Sequence, residues 1–298
     1  MAEPGARRID GSFPANVYPA HDMQRVLTAL VLIPIVIAVI FLSPRWPLLL
    51  LIAVFVVATL ALWEYLGLAD AMGAKTPRAV AVVFLAVLFA ATWRRPDLVT
   101  PVFACLALVL LVVCAFRSPV NRVLADTAYS VFGLVYIGYS MSTLYLLSSL
   151  DNGPSLLLFL FLAVWCGDVA ALYIGRAFGR RKLAPTLSPN KTWEGSFASV
   201  AGSIVITLLL IWASTALVAR NFVWLSYPGP IVHWIGLAVL VNIGAQLGDL
   251  VESAIKRGAG VKDSGHLLPG HGGFLDRIDA LLLAAPLLWY AQLAQQTF

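Results

Sequence analysis

Charged residues are scarce in this chain, and their scarcity excludes an ordinary water-soluble domain. Asp, Glu, Lys and Arg make up 12% of the 298 residues, against about 25% in soluble domains, and hydrophobic residues make up 60%. The mean hydropathy is +0.88. We therefore predict an all-α, polytopic membrane protein. The net charge of +5 does not indicate a nucleic-acid partner, because membrane proteins carry Lys and Arg on their cytoplasmic loops.

Cysteine is also rare, and the placement of the three cysteines excludes two classes of site. Cys105, Cys114 and Cys166 lie within hydrophobic runs and form neither a C-x-x-C pair nor a Cys/His spacing. This indicates neither a disulfide framework nor a zinc site. The chain also lacks a G-x-x-x-x-G-K-[ST] segment and a G-x-G-x-x-G segment after a strand, which excludes P-loop and Rossmann-type nucleotide sites.

Long hydrophobic runs are abundant. A spanning helix needs about 20 apolar residues, and several runs reach or approach that length. We predict nine transmembrane helices, of which the third is short, over residues 26–42, 47–68, 79–93, 99–116, 123–150, 155–177, 192–219, 231–255 and 275–294. The polar residues 1–22 show no signal-peptide pattern and are expected to form a disordered tail.

The distribution of Lys and Arg predicts the orientation of these helices. With the N-terminus in the cytoplasm, every Lys and Arg falls in a cytoplasmic segment except Arg45, Arg94, Arg95 and Arg220. This bias follows the positive-inside rule and places the loops 178–191 and 258–274 together at the cytoplasmic face of the inner membrane. We predict a cytoplasmic tail, a scaffold of five spans and a catalytic region of four spans, at residues 1–25, 26–150 and 151–298.

Charged residues concentrate around the last predicted connection. On the eighth helix an i, i+3, i+4, i+7 spacing places four polar side chains on one face: Asp249, Glu252, Ser253 and Lys256. Asp276 and Asp279 likewise share a face of the ninth helix. Two antiparallel helices would bring Asp249 and Asp276 to the same depth. Close carboxylates repel unless a cation lies between them, and carboxylate oxygens are ligands that Mg²⁺ prefers, so the pattern predicts a metal site.

The alternative is that each of these acids forms a surface ion pair with Lys256, Arg257 or Arg277. The connection between the two helices ends in the segment PGHGG, which contains Gly272 and Gly273. Because glycine lets backbone N–H groups approach a ligand closely, this segment can cradle phosphate oxygens. A loop that is merely flexible would also be rich in glycine. His271, in the same segment, is a candidate metal ligand or base, and the competing role is hydrogen bonding or stacking.

Polar residues around the sixth and seventh helices predict further ligands at the same face. Asp168 lies within a predicted span, where an acid is a functional candidate by default, and the alternative is an ion pair with a nearby cation. Ser188 and Lys191, before the next helix, are candidates for a phosphate clamp. Glu194 lies at the start of that helix, where backbone N–H groups without a helical partner attract anions.

Two acids in the first five spans, Glu64 and Asp126, lie near predicted helix ends. A carboxylate close to a helix end is usually hydrated or paired with a neighbour in sequence. We therefore interpret both acids, and the first five spans as a whole, as scaffold.

The segment SAIKRGAGVKDSGHLLPGHGGFLDRID, residues 253–279, resembles the signature of the phosphatidate cytidylyltransferases, the CDP-diacylglycerol synthases. The segments DVAALYIGRAFG at 168–179 and SPNKTWEG at 188–195 are similar to a second region of that family. Two positions depart from the family pattern: Leu172, where an aromatic residue is expected, and Asn190, where Lys is frequent. The resemblance covers the C-terminal half, and the N-terminal half matches as a hydrophobic multi-span region.

The resemblance implies a reaction in which CTP and phosphatidic acid give CDP-diacylglycerol and pyrophosphate. It makes Asp249 and Asp276 the metal-binding pair with Asp279 close behind, requires Mg²⁺ with K⁺ as a candidate second ion, and suggests a homodimer in the lipid bilayer. The catalytic set is then Asp249, Asp276, Lys256 and Asp279. The substrate-binding set is Ser188, Lys191, Ser253, Arg257, Lys262, Asp263, His271, Gly272, Gly273 and Arg277, with Asp168, Glu194 and Glu252 as secondary candidates.

Two other functions stay open on the sequence. A CTP-dependent lipid kinase of the polyprenol or phytol type would use the same metal and nucleotide but transfer the γ-phosphoryl group to an alcohol. An ion-coupled transporter would use Asp168 and Asp249 as relays near the middle of the bilayer, and it would not need PGHGG directly before LDRID.

Overall fold

The computed structural model describes residues 19–221, 225–265 and 272–297, with side chains described between residues 30 and 295. The described chain is almost entirely helical, which confirms the all-α prediction. Its helices are α1 (Pro19–Leu42), α2 (Pro47–Ala71), α3 (Arg78–Arg94), α4 (Val99–Arg117), α5 (Val123–Gly133), α6 (Ser140–Ser148), α7 (Gly153–Phe178), α8 (Trp193–Val218), α9 (Ile231–Gly258) and α10 (Leu275–Thr297).

Every predicted hydrophobic run coincides with one of these helices or with a continuous series of them. The fifth run forms one long rod, because α5 and α6 are joined through the π-helical turn Leu134–Tyr139. Seven helical stretches of the described chain are long and apolar enough to cross a membrane. The described apolar part of α1 is shorter, at Leu30–Leu42, and α3 has 17 residues. The multi-pass prediction is thus supported, while the count of nine spans stays a prediction.

One hydrophobic core runs through both halves of the chain. It includes Leu62 on α2, Leu147 on α6, Phe159 on α7 and Leu282 on α10, each with no exposed surface. Large apolar side chains such as Trp212 on α8 point outward, as expected for a protein surrounded by lipid. The last helices are therefore held directly against the first ones.

Small residues let α9 and α10 approach each other closely. A Cβ atom on Gly244 would lie 3.3 Å from the Cα of Ala284, and a Cβ on Gly248 would lie 3.3 Å from the Cα of Ala280. A Cβ on Gly248 would also collide with the carbonyl oxygen of Asp279. Glycines spaced by four residues are a common device for close contact between membrane helices. Here they bring the acid-bearing faces of α9 and α10 together.

The connection between α7 and α8 is a β-hairpin, which the sequence analysis did not predict. Strand β1 (Lys182–Ala184) pairs with β2 (Ser188–Thr192) in antiparallel orientation. At the base of the hairpin, Glu194 accepts hydrogen bonds from the backbone N–H groups of Arg180 and Arg181, at 3.1 and 3.2 Å. The strands were missed because a three-residue strand next to prolines carries no detectable alternation of polar and apolar residues.

Candidate functional site

A buried lysine forms the centre of the polar cluster between α9 and α10. The Nζ of Lys256 lies 2.5 Å from the carboxylate of Glu252 and 2.6 Å from that of Asp276. The exposed fractions of these side chains are 13% for Lys256, 1% for Glu252 and 9% for Asp276. Glu252 and Lys256 lie next to each other because they are spaced i, i+4 on α9. Asp276 reaches the same lysine from the first turn of α10. One cation thus balances two acids that are almost cut off from solvent.

The second oxygen of Asp276 holds the connection between α9 and α10. Oδ2 accepts hydrogen bonds from the backbone N–H of Ser264 at 2.9 Å, from the Ser264 hydroxyl at 2.9 Å and from the N–H of Gly273 at 2.8 Å. Gly272 adopts a positive φ of 77°, and a Cβ there would lie 2.7 Å from Oδ2. Gly272 and Gly273 therefore pass closely around a carboxylate of the protein itself.

Asp249 has a different partner. Its Oδ2 lies 2.5 Å from the Nζ of Lys191 on β2, so this ion pair connects the hairpin to α9. Ser253, one turn further along α9, makes only a long contact of 3.5 Å with Asp249. The two carboxylates predicted to share a metal ion thus have separate lysines, Lys191 for Asp249 and Lys256 for Asp276. The negative charges of Asp249 and Asp168 repel that of Asp279.

The donor set suits a divalent cation chemically. Five carboxylates (Asp168, Asp249, Glu252, Asp276 and Asp279) lie around two lysines, which leaves a surplus of negative charge when all are ionised. Both carboxylate oxygens of Glu252 lack a well-formed hydrogen bond within the described structure. Mg²⁺ binds hard oxygen ligands, commonly one or two carboxylates together with water and substrate phosphates, and these side chains can supply the carboxylates. Among the described side chains, no group of three or more acids, histidines or cysteines is already arranged to hold a metal ion.

A cavity of about 680 Å³ opens beside Asp249, between α7, the hairpin, α8 and α9. Its lining carries both signs of charge and several neutral polar groups: Asp168, Arg176, Lys182, Lys191, Ser196, Ser199, Gln246 and Asp249. The side chain of Asp168 therefore lines a polar cavity together with Lys191, whose positive charge favours the ionised carboxylate. Such a mixture can receive an anionic group together with its counter-ion.

From the cavity lining, a chain of hydrogen bonds continues between α8 and α9. Gln246 donates to the Asn242 Oδ1 at 2.6 Å, and Asn242 donates to the hydroxyls of Ser203 and Ser199 at 2.7 and 2.9 Å. Sequence reasoning missed these residues. Their periodicity could have revealed them, because Asn242 and Gln246 are spaced i, i+4 and the serines i, i+4 on the facing helix.

The remaining predicted ligands surround this centre less closely. Arg257 is exposed and donates to the carbonyl oxygen of Val261 at 3.2 Å. Lys262, Asp263 and Arg277 are exposed, and Ser188 is half-buried on β2. His271 lies outside the described residues.

The two acids of the first spans, Asp126 and Glu64, have different kinds of partner. Asp126 lies 3.6 Å from Arg122, its neighbour in sequence, as expected, and it also accepts a hydrogen bond from the more distant backbone N–H of Lys75 at 3.0 Å. The expectation for Glu64 was wrong. Its side chain is buried, and it accepts hydrogen bonds from Ser264, Phe274 and Leu275, some 200 residues away.

A second missed residue is Tyr136, in the π-helical turn. Its side chain is buried near the carboxylates of Asp279, Glu252 and Asp249. Within the described structure its hydroxyl has no hydrogen-bond partner. π-Helical turns are rare and frequently lie at functional sites, but no sequence pattern announces them.

Comparison with known proteins assigns the chain to a family. The model of the cytidylyltransferase family matches residues 23–294, which is nearly the whole chain. The chain belongs to the cytidylyltransferase family. A protein of Staphylococcus epidermidis named phosphatidate cytidylyltransferase is 31% identical over 269 residues, which cover 89% of this chain and 96% of that protein.

Other members of the cytidylyltransferase family match over shorter segments. A phosphatidate cytidylyltransferase of Brucella suis is 47% identical over 158 residues, 53% of this chain and 54% of its own. One from Staphylococcus saprophyticus is 38% identical over 163 residues, 55% of this chain and 58% of its own. The chain thus spans about half the length of these relatives. The resemblance noted in the motifs is confirmed at the level of the family.

Proposed function

We propose that this cytidylyltransferase-family protein makes CDP-diacylglycerol and pyrophosphate from CTP and phosphatidic acid. The observation that carries the proposal is a pair of lysine–carboxylate contacts on α9, Lys191–Asp249 beside a charged cavity and Lys256–Asp276 to the start of α10, in a chain of this family. An oxygen of the lipid phosphate forms a bond to the α-phosphorus of CTP. The bond from that phosphorus to the bridging oxygen of the β-phosphate breaks, and pyrophosphate leaves.

The nucleophile needs no dedicated base. The second pKa of a phosphate monoester is about 6, so the lipid phosphate is largely deprotonated at neutral pH. The protein must instead position two anions and reduce their repulsion, which contributes most in such reactions. Lys256 and Lys191 are placed to do so at the centre, and Arg257, Lys262 and Arg277 extend the positive charge outward.

Of the backbone cradle expected at Gly272 and Gly273, the N–H of Gly273 already has a partner within the protein. The N–H of Gly273 is bound by Asp276, and those of Phe274 and Leu275 are bound by Glu64. In this arrangement side chains, rather than the start of α10, bind the triphosphate.

Mg²⁺ is part of the proposal, with Asp249, Asp279 and Asp276 as the residues that would hold it and K⁺ as a candidate second ion. When bound, the metal neutralises phosphate oxygens and the departing pyrophosphate. The protein's own contribution is to keep the carboxylates close through the contact of Gly248 with α10, and to hold Asp276 by Lys256 and Ser264.

The membrane location explains how the two substrates meet. The cavity lies between α7 and α8, where Leu172 lines it and the apolar side chains of Tyr173 and Phe197 are exposed on the same two helices. A lipid with its chains against these residues can direct its phosphate towards Lys182 and Lys191. We place the site at the cytoplasmic face of the cell membrane, where CTP is available, and include a homodimer in the proposal.

The decisive test incubates the purified protein with labelled CTP, phosphatidic acid and Mg²⁺. We expect a lipid-soluble cytidine product and one pyrophosphate per turnover, and both should be lost in Asp249→Asn. Free CDP with a phosphorylated polyprenol or phytol would support the kinase instead. If neither CTP nor the lipid is converted and the protein carries an ion flux in vesicles, the result would support the ion-coupled transporter.

A further inference from the structure

We propose that Glu64, on α2, is a positioning residue of the active site, and this inference rests on the proposed function. Its carboxylate fixes both described ends of the α9–α10 connection, so that Asp276 stays directed at Lys256. The N-terminal half of the chain would then contribute directly to the reaction and not only to the scaffold.

The first observation is the set of donors around Glu64. Oε1 accepts from the backbone N–H of Phe274 at 3.1 Å, and Oε2 accepts from that of Leu275 at 2.9 Å. The hydroxyl of Ser264 lies 3.1 Å from Oε2. The first N–H groups of a helix have no partner within the helix, and a negative charge is favourable there. Glu64 therefore caps α10 from a distant helix.

The second observation is the space that the connection leaves for this carboxylate. A Cβ on Gly265 would lie 2.5 Å from the Glu64 Oε1, and a Cβ on Gly273 would collide with Oε2 and with the Ser264 hydroxyl. Glu64 itself has 6% of its surface exposed. Glycine at both positions is thus what permits the connection to close around the carboxylate.

The third observation links Glu64 to Asp276. The Ser264 hydroxyl lies within hydrogen-bond distance of both acids, 3.1 Å from Glu64 and 2.9 Å from Asp276. Gly273 donates its N–H to Asp276, and the next two residues donate theirs to Glu64. The two carboxylates thus bind neighbouring groups of the same two short segments. Loss of the Glu64 charge would loosen the first turn of α10, which carries Asp276.

The test compares Glu64→Gln with Asp126→Asn in the full-length protein. Asp126 is the matched control because it is a fully buried acid of the same half that also accepts a backbone N–H, that of Lys75, away from the site. Gln keeps the size of the side chain but directs an NH₂ group at an N–H donor. We expect kcat/KM for CTP per folded protein to fall about ten-fold or more in Glu64→Gln, the effect of losing one hydrogen bond to a charged acceptor, and to stay unchanged in Asp126→Asn.

Hydrogen exchange supplies a readout that does not depend on turnover. Backbone amides at residues 272–278 should exchange about ten-fold faster in Glu64→Gln, and those residues should exchange at the wild-type rate in Asp126→Asn. Gly265→Ala, which leaves Glu64 present but displaces it, should reproduce both effects and serves if Glu64→Gln does not fold. Unchanged exchange, or faster exchange with unchanged kcat/KM, would overturn the proposal. An inactive wild type would instead refute the proposed function, and exchange alone would then decide whether Glu64 holds the connection.

Discussion

Lys256 and Lys191 both form ion pairs with acids of the site, but they differ in how far they are exposed to solvent. Lys256 joins acids that are 1% and 9% exposed, whereas Lys191 is 25% exposed and its partner Asp249 is 38% exposed. An ion pair open to solvent contributes about 0–1 kcal/mol, but removing one partner of a buried pair costs about 3–5 kcal/mol. Exposure therefore decides which lysine also supports the fold.

Lys256→Met should accordingly lower both stability and activity. We expect a loss of about 3–5 kcal/mol of unfolding free energy, because Glu252 and Asp276 would remain buried without a cation. Adding Glu252→Gln should restore part of the stability and none of the activity. Lys191→Met is the control: its stability should change by about 1 kcal/mol or less, while its activity falls. Thermal unfolding in detergent and the CTP assay would measure these effects, and equal destabilisation by both single variants would contradict the argument.

Helical spacing predicted which side chains share a helix face, but not which groups of other elements they contact. Helical spacing correctly indicated that Glu252 and Lys256 share a face, because that relation depends only on the pitch of α9. Helical spacing gave no information on which acid pairs with Lys191, because Lys191 lies on β2 and its position depends on how the β-hairpin folds. Glu64 was misinterpreted for the same reason: its partners lie 200 or more positions away and are backbone groups, which have no sequence signature.

At the scale of the helices, the contact between α9 and α10 sets the distance between the acids. A side chain on Gly248 would strike the backbone of α10 at Asp279, whereas a Cβ on Gly236, earlier on α9, would meet nothing within 4 Å. Replacing glycine by alanine on α9 thus creates a clash at position 248 and meets open space at position 236.

Gly248→Ala should therefore separate the two helices and abolish most of the activity, with a loss of about 1–3 kcal/mol from overpacking. Gly236→Ala should leave activity intact and stabilise the helix by up to about 1 kcal/mol, because alanine is the better helix former. Melting curves and initial rates of the two variants test this contrast. Wild-type rates in Gly248→Ala would show that the close approach is unnecessary.

At the scale of the whole molecule, the positions of the helices were predictable and their three-dimensional arrangement was not. Hydrophobic length located every helix, because the bilayer imposes that length. The division into a scaffold at residues 26–150 and a catalytic region at 151–298 stays a prediction, and the structure joins these regions by one core and by Glu64. Which helices pack against each other could not be predicted, because contacts between helices far apart in sequence produce no periodic pattern of residues.

A split of the chain tests how far the two regions depend on each other. Residues 151–298 expressed alone should give no cytidylyltransferase activity, because their first turn of α10 would lack its cap and Phe159 and Leu282 would lose core neighbours. Co-expression with residues 1–150 should restore activity measurably. Full activity of the shorter piece by itself would contradict the dependence inferred from Glu64.

The contact of Glu64 with Leu275 also has a consequence for biogenesis. The two residues are separated by 211 positions, and a ribosome adds about 5–20 residues per second, so α2 enters the bilayer some 10–40 s before α10 is made. During that interval the carboxylate has none of the donors that finally surround it. Glu64 on α2 therefore obtains its hydrogen-bond partners only when α9, α10 and their connection have been inserted. The structure around one of the first helices to be made is thus completed by the last ones.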